Sequence, residues 1–159
     1  MLVLREMRLE EFPAYRDYFI DDYSKEISEN YGHSMDVAIQ LAETELNCCF
    51  PNGVETAAHS LLCIEITVNH KPQLLGYLWH SPNQNDSATF IYDFYISSEY
   101  RGLGYGTQVI SELEKQLLAQ GIKQIKLRVA YHNERALKLY KELGFAITGF
   151  NLSKQLASE

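Results

Sequence analysis

The segment Tyr100-Arg101-Gly102-Leu103-Gly104-Tyr105-Gly106-Thr107 decides the fold, because it joins a strand-like run to a helix-like run through three alternating glycines. Before it, residues 90–96 (Phe-Ile-Tyr-Asp-Phe-Tyr-Ile) are β-branched and aromatic, as strands prefer. After it, residues 107–120 repeat apolar side chains at helical spacing, which predicts an amphipathic helix. Glycines at such a junction let backbone N–H groups approach a ligand, and a helix N-terminus carries roughly half a positive charge. The segment therefore predicts an anion-binding loop that suits a phosphate.

Two familiar phosphate-binding motifs fit this segment poorly. The dinucleotide-binding pattern G-x-G-x-x-G needs a spacing that Gly102, Gly104 and Gly106 do not have. A P-loop needs Gly-Lys-Ser or Gly-Lys-Thr, and the sequence contains neither. The segment does match the R/Q-x-x-G-x-G/A signature of the GNAT N-acetyltransferase superfamily, with Arg101, Gly104 and Gly106 on its defining positions. The chain thus resembles a small, single-domain GNAT enzyme of bacterial type.

The resemblance extends on both sides of the loop. Residues 91–102 resemble the superfamily's fourth strand and its continuation, and residues 133–145 (Asn-Glu-Arg-Ala-Leu-Lys-Leu-Tyr-Lys-Glu-Leu-Gly-Phe) resemble its NxxAxxxYxxxGF motif. At about 100° per residue, Asn133 and Tyr140 fall on one face of a helix, so both can address one ligand. The N-terminal half matches the superfamily only as a loose order of elements.

The resemblance implies an α/β (α+β) fold, with a mixed, mostly antiparallel, splayed sheet of six to seven strands and about four helices. We expect one domain over residues 1–159. Strands are predicted at Leu2 to Met7, Leu61 to Val68, Gln73 to His80, 90–96 and Gln124 to Ala130, with one or two short strands within Phe145 to Leu156. Helices are predicted within Leu9 to Glu29, from Ser34 or Asp36 to about Phe50, over 107–120, and after Asn133.

In this fold, as the resemblance has it, the fourth and fifth strands part and the pantetheine arm of acetyl-CoA lies between them. Parting strands leave backbone groups unpaired, and an amide-bearing arm can pair with them. The residues that the resemblance assigns to the cofactor are Phe94, Tyr95 and Ile96 on the strand, Arg101, Gly102, Leu103, Gly104, Tyr105, Gly106 and Thr107 in the loop, and Asn133.

The implied chemistry is direct attack of an amine on the thioester in a ternary complex, with Tyr140 as the acid for the departing sulfur. The resemblance leaves open which residue acts as the general base. Some relatives carry Glu one position before the strand Asp, where this chain has Tyr92, so Asp93 is the only acid on that strand. Strict alternation places Asp93 and Tyr92 on opposite faces, which leaves open whether Asp93 faces the amine. The other candidate bases are His59, His80, Glu65 and water.

Composition limits the partners. The formal charge of −7 disfavours nucleic acid and favours a cationic or neutral acceptor, which we expect to be a small amine. Cys48, Cys49 and Cys63 form neither a zinc spacing nor a disulfide framework, so we expect no metal and reduced thiols. The N-terminal sequence lacks a signal-peptide pattern and the apolar runs are short, which predicts a cytoplasmic protein without a membrane segment.

Several alternatives stay open at this point. Tyr31, Trp79 and Tyr92 could form an aromatic wall for the acceptor or could simply belong to the core. The acceptor could be a protein N-terminus or lysine, and the fold could serve a sensor that binds acetyl-CoA without transferring the acetyl group. Homodimers are common in the superfamily, but the sequence carries no readable mark of one.

Overall fold

A computed structural model describes residues 1–157 of the chain. These residues form two compact units, Met1–Arg128 and a smaller unit that begins at Val129. The single domain that the sequence predicts over residues 1–159 stays a prediction.

The first unit is built on a five-stranded sheet with the strands in chain order, β1-β2-β3-β4-β5. The first four strands are antiparallel neighbours, whereas β5 runs parallel to β4. A parallel neighbour needs a crossover connection, and the helix after the glycine loop supplies it. The strands are β1 Leu2–Glu6, β2 Ser60–Val68, β3 Lys71–Asn83, β4 Ala88–Ile96 and β5 Gln124–Leu127.

Among residues 1–157, three α-helices belong to the first unit and a fourth to the second: α1 Phe12–Tyr31, α2 Met35–Cys49, α3 Tyr105–Ala119 and α4 Glu134–Glu142. Helix α1 ends because Gly32 adopts a left-handed conformation and donates its N–H to the carbonyl of Ser28. Ser34 then caps α2, with its hydroxyl accepting from the N–H of Val37. Helix α3 starts directly after the left-handed Gly104, slightly earlier than the sequence predicted.

The sheet is covered on both faces. Helices α1 and α2 pack on one face through a cluster rich in aromatic side chains, so we call this the aromatic face of the sheet. Helix α3 lies against the other face, where Leu113 and Leu117 line a small cavity with Leu62 and His80. The buried cluster on the aromatic face comprises Met7, Tyr15, Phe19, Leu46, Phe50, Leu61, Cys63 and Trp79.

The centre of the sheet is irregular. The β3–β4 register shifts between Trp79 and His80, which pair with Asp93 and Ile91, so Tyr92 is an extra residue in a β-bulge. Nearby, a Cβ atom on Gly76 would overlap the Tyr95 carbonyl, so the two backbones approach too closely for any other residue.

The sequence prediction of six to seven strands was too high, although the fold class is confirmed. The five strands account for all the β-structure among residues 1–157, and the strands expected within Phe145 to Leu156 are absent there. Strand propensity is realised only where a neighbouring strand pairs with the backbone, and this segment has no such neighbour among the described residues. The predicted strand Gln124 to Ala130 is also shorter, ending at Leu127.

Candidate active site

The loop between β4 and α3 presents a row of free backbone donors. Gly102 and Gly104 have φ angles of 75° and 84°, which only glycine adopts at little cost. No described residue accepts a hydrogen bond from the backbone N–H groups of Gly102 to Thr107, and the first such bond in α3 runs from Gln108 to Gly104. Unpaired amides at the start of a helix of this length form a site that fits a phosphate group.

Arg101 fastens this loop to the end of β4. Its Nε atom donates to the Ile96 carbonyl at 2.7 Å, and its guanidinium lies 5.5 Å from the centre of the Tyr95 ring. The arginine thus adds positive charge beside the loop amides while it ties the loop to the strand.

The strands β4 and β5 part, as the resemblance to the GNAT superfamily implies. They pair only from Ala88 to Ile91 on β4, because β5 ends opposite Ile91 while β4 continues to Ile96. The backbone of Phe94, Tyr95 and Ile96 therefore has a strand partner on the β3 side but none on the β5 side among the described residues. This open edge leads directly into the loop of free amides.

The bulge at Tyr92 corrects the side-chain alternation expected from the sequence. Tyr92 stacks on Trp79, while Asp93 bonds to tyrosines of α1, so both side chains lie on the aromatic face. The extra residue reverses the alternation within β4, which a regular strand cannot do.

Asp93 is held by two phenols of α1. The hydroxyl of Tyr15 donates to Oδ2 at 3.0 Å and the hydroxyl of Tyr18 donates to Oδ1 at 3.1 Å. Burial raises the pKa of Asp93 from 3.8 to about 7 despite these hydrogen bonds, and the carboxylates of Asp22 and Glu26 on α1 add to the rise. A carboxyl group with this pKa can exchange protons near neutral pH.

The sequence analysis did not single out Tyr15 and Tyr18, which lie within the helix predicted between Leu9 and Glu29. Only their spacing of three along α1, which puts both on one helix face, was readable beforehand. Nothing in the sequence connects that face to Asp93, which follows more than seventy positions later.

Two of the other candidate bases, Glu65 and His80, already have hydrogen-bond partners within the protein. Glu65 accepts a hydrogen bond from Arg5 at 2.7 Å, in a network that also contains Glu11. His80 points to the face covered by α3, where its Nδ1 lies 2.8 Å from Thr89 Oγ1, and burial lowers its pKa to about 4.

His59 is placed differently, on the aromatic face. Its Nδ1 atom accepts a hydrogen bond from Trp79 Nε1 at 3.0 Å, and its ring also contacts Tyr92 and Phe50. Trp79 and Tyr92 stack with ring centres 4.8 Å apart, so the structure brings together two of the three expected wall residues. The third, Tyr31, lies at the end of α1, and the only ring paired with its own among the described residues is that of His33.

In the second unit, Asn133 and Tyr140 are joined by α4. Asn133 caps the helix, with Oδ1 accepting from the Ala136 N–H at 3.1 Å. Tyr140 is half-buried and its ring meets Phe145 edge to face at 5.4 Å. Both residues of this ring contact, Tyr140 and Phe145, belong to the second unit.

No helix within residues 1–157 is both long enough and apolar enough to cross a membrane. The same residues contain no group of three His, Cys, Asp or Glu side chains placed to hold a metal ion.

The parted parallel strand pair, the glycine loop and the crossover helix match the features that the resemblance to N-acetyltransferases implies. The sequence profile of the acetyltransferase (GNAT) family matches residues 12–145, and the chain belongs to this family. It is therefore an acyltransferase enzyme of the N-acetyltransferase type.

Two relatives cover nearly the whole chain. The uncharacterized N-acetyltransferase YycN of Bacillus subtilis is 32% identical over 157 residues, which is 98% of this chain and 99% of YycN. Its crystal structure matches with a TM-score of 0.88 over 99% of this chain and 100% of that chain. The uncharacterized N-acetyltransferase YdgE of the same organism is 28% identical over 155 residues, 96% of this chain and 97% of YdgE.

A more distant structure shares the fold alone. The protein AAC(6')-Iy has a TM-score of 0.59 and 13% sequence identity, and the match covers 99% of each chain. That structure contains the bisubstrate analogue CoA-S-monomethyl-acetylneamine.

Proposed function

We propose that this protein transfers the acetyl group of acetyl-CoA to the primary amine of a small molecule. One observation carries the proposal: the open edge of β4 beyond Ile91 runs into a loop whose backbone amides are free. An elongated ligand with amides at one end and phosphates at the other matches both features. The coenzyme A portion of the analogue bound by AAC(6')-Iy, which has the same fold, supports this choice.

The cofactor would lie along both parts of this surface. The backbone of Phe94, Tyr95 and Ile96 would pair with its amide-bearing arm, and the segment from Arg101 to Thr107 would hold its phosphates. Asn133 accepts the capping hydrogen bond through Oδ1, and no described residue accepts a hydrogen bond from its side-chain N–H groups. When bound, acetyl-CoA supplies an activated thioester, and the remaining chemistry belongs to the protein.

Asp93 is the proposed general base. An amine attacks only with a free electron pair, so its ammonium form must lose a proton to a nearby group. The pKa of Asp93 at about 7 keeps a substantial ionised fraction at neutral pH and makes the group a competent proton acceptor. Of the other candidates, Glu65 is paired with Arg5 and His80 faces α3, so both have structural partners that oppose this role.

Tyr140 is the proposed general acid. As the new carbon–nitrogen bond forms and the carbon–sulfur bond breaks, the sulfur leaves with the electron pair and benefits from a proton. A phenol is protonated at neutral pH and can donate to that sulfur. The nitrogen loses its second proton to solvent as the neutral amide forms, Asp93 returns the ammonium proton to solvent, and Tyr140 is reprotonated from solvent.

The charge of the protein supports our choice of acceptor class. The net charge of −7, together with the carboxyl groups of Asp22 and Glu26 on α1 and of Asp93 on β4, favours a cationic acceptor over an anionic one. We therefore propose a small amine, and a basic peptide is the competing acceptor that the assay must separate.

The test is release of free coenzyme A thiol from acetyl-CoA in the presence of separate pools of small amines and peptides. We expect one pool of small amines to give turnover that rises with pH through about 7, where Asp93 ionises. Tyr140→Phe should reduce turnover about a hundredfold or more while acetyl-CoA still binds. Tyr131→Phe, at an exposed tyrosine of the same unit, is the matched control.

Two results would contradict the proposal. Tight acetyl-CoA binding without turnover in any pool would argue against the acceptor class. Unchanged turnover in Tyr140→Phe would remove this residue from the mechanism.

A further inference from the structure

A compact group of three rings, His59, Trp79 and Tyr92, lies beside Asp93 on the aromatic face, and we call it the His59 cluster. Trp79 pairs with Asp93 across β3 and β4, and Tyr92 immediately precedes Asp93 in the bulge. The three rings contact one another, with centres 4.8 to 5.7 Å apart. The cluster is thus the immediate neighbour of the proposed base.

The tautomer of His59 is fixed by its partner. Trp79 Nε1 is only a donor, so the nitrogen that faces it, His59 Nδ1, must carry the lone pair. In a neutral imidazole the proton then resides on Nε2. Burial lowers the pKa of His59, which keeps the ring neutral at physiological pH. His59 therefore presents an N–H donor at Nε2 and has no free basic nitrogen.

This donor is available to a ligand. Its bond to Trp79 is the only hydrogen bond of the His59 side chain to another described residue. Among those residues, no buried side-chain nitrogen or oxygen lacks a partner, so Nε2 must reach the surface. Beside it, the Tyr92 residue is 46% exposed while Trp79 beneath it is 1% exposed. The cluster thus offers an accessible flat ring and an unused donor.

We propose that the His59 cluster binds the acceptor substrate next to its amine, which assigns that substrate a flat apolar group and an uncharged oxygen. The apolar group would stack on Tyr92, and a carbonyl or hydroxyl oxygen would accept the hydrogen bond from His59 Nε2. A carboxylate is disfavoured, because the rings around His59 are uncharged and Asp93 is close by. This inference rests on the proposed function, since it takes Asp93 as the base.

The first test uses three amines that differ at one group: phenylalaninamide has the carbonyl, phenethylamine lacks it, and phenylalanine replaces it with a carboxylate. We expect phenylalaninamide to have the highest kcat/KM. His59→Asn retains an oxygen near the position of Nδ1 to accept from Trp79, but it deletes the outer donor. This variant should lower kcat/KM for phenylalaninamide up to about tenfold and leave phenethylamine unchanged. His33→Asn, at an exposed histidine, should affect neither amine.

The second test does not depend on turnover. Nitrogen-15 NMR of the imidazole should show His59 protonated at Nε2, and Trp79→Phe should allow the other tautomer. Because Trp79 is the only tryptophan, its fluorescence also reports whether phenylalaninamide binds in preference to phenethylamine.

The outcomes separate the two proposals. Selective binding of phenylalaninamide without turnover would contradict the proposed function and support the subsite. Equal losses for both amines in His59→Asn, equal binding of both amines, or a proton on Nδ1 of His59 would overturn the subsite while leaving acetyl transfer intact.

Discussion

Replacing Asp93 by asparagine should stabilise the folded protein at alkaline pH, although it removes the proposed base. The ordinary pKa of an aspartate side chain is 3.8, and burial raises the pKa of Asp93 to about 7 in the folded chain. Between these two values the folded state holds a proton that the unfolded state has released. The contribution of Asp93 to the free energy of unfolding is therefore fully present below pH 3.8. It is lost as the pH rises from 3.8 to about 7.

The size of the loss in the free energy of unfolding follows from the interval between these two pKa values. Each pH unit of the window corresponds to about 1.4 kcal/mol, so the free energy of unfolding loses roughly 4 kcal/mol across it. The asparagine amide carries no charge at any pH, so Asp93→Asn avoids this loss. The free energy of unfolding of Asp93→Asn, relative to that of the wild type, should therefore increase by roughly 3 kcal/mol between about pH 5 and about pH 8.5.

Urea denaturation at both pH values measures this difference, with the fluorescence of the buried Trp79 as the signal for unfolding. Asp86→Asn, which removes an exposed carboxylate, is the matched control for the general effect of one fewer charge. An advantage for Asp93→Asn that stays constant with pH would refute the reasoning, because it would mean that burial leaves the Asp93 carboxyl unperturbed. The same variant should lose about a hundredfold or more in turnover.

Three further substitutions probe the loop, the sheet and the base. Gly104→Val should abolish detectable acetyl-CoA binding in calorimetry because a side chain covers the free amides, while Gly121→Val, with a similar φ, keeps binding. Gly76→Ala should lower the free energy of unfolding by about 1 to 3 kcal/mol in urea titrations, because its Cβ overlaps a backbone carbonyl of β4. Tyr18→Phe removes a hydrogen bond that favours the ionised form of Asp93, so the pH at which kcat/KM rises should increase by about one unit.

Each of these three substitutions has its own contradicting result, and Gly76→Ala and Tyr18→Phe also have their own control variants. Gly149→Ala, where a Cβ meets open space, should leave stability unchanged, and an equal loss there would contradict the close-approach explanation for Gly76. Tyr31→Phe should leave the pH profile unchanged. A lower rather than higher pH for the rise in Tyr18→Phe would show that Tyr18 does not stabilise the carboxylate. Normal acetyl-CoA affinity in Gly104→Val would exclude the loop as the phosphate site.

Local elements were largely predictable because their determinants are short-range. The glycine loop, the helix after it and the strand before it are encoded by neighbouring residues, and β4 and α3 lie within a few positions of the predicted bounds. The break between α1 and α2 also follows from adjacent residues, a left-handed Gly32 and a capping Ser34.

Pairing between distant segments was not predictable in the same way. One or two short closing strands were expected within Phe145 to Leu156, but no neighbouring strand pairs with that segment in the described residues. The bulge at Tyr92 depends on how β4 aligns with β3, which a single strand sequence does not specify. As a result, the face on which Asp93 lies was left open by the sequence.

The sequence by itself therefore determined the family, the order of most elements and the glycine-rich loop, because each rests on residues adjacent along the chain. Only the tertiary structure decided the chemistry of Asp93 and His59. The pKa of Asp93 depends on burial against α1 and on Tyr15 and Tyr18, and the tautomer of His59 depends on Trp79. Burial and hydrogen bonding act between groups that folding brings together, so no local pattern of residues could reveal them.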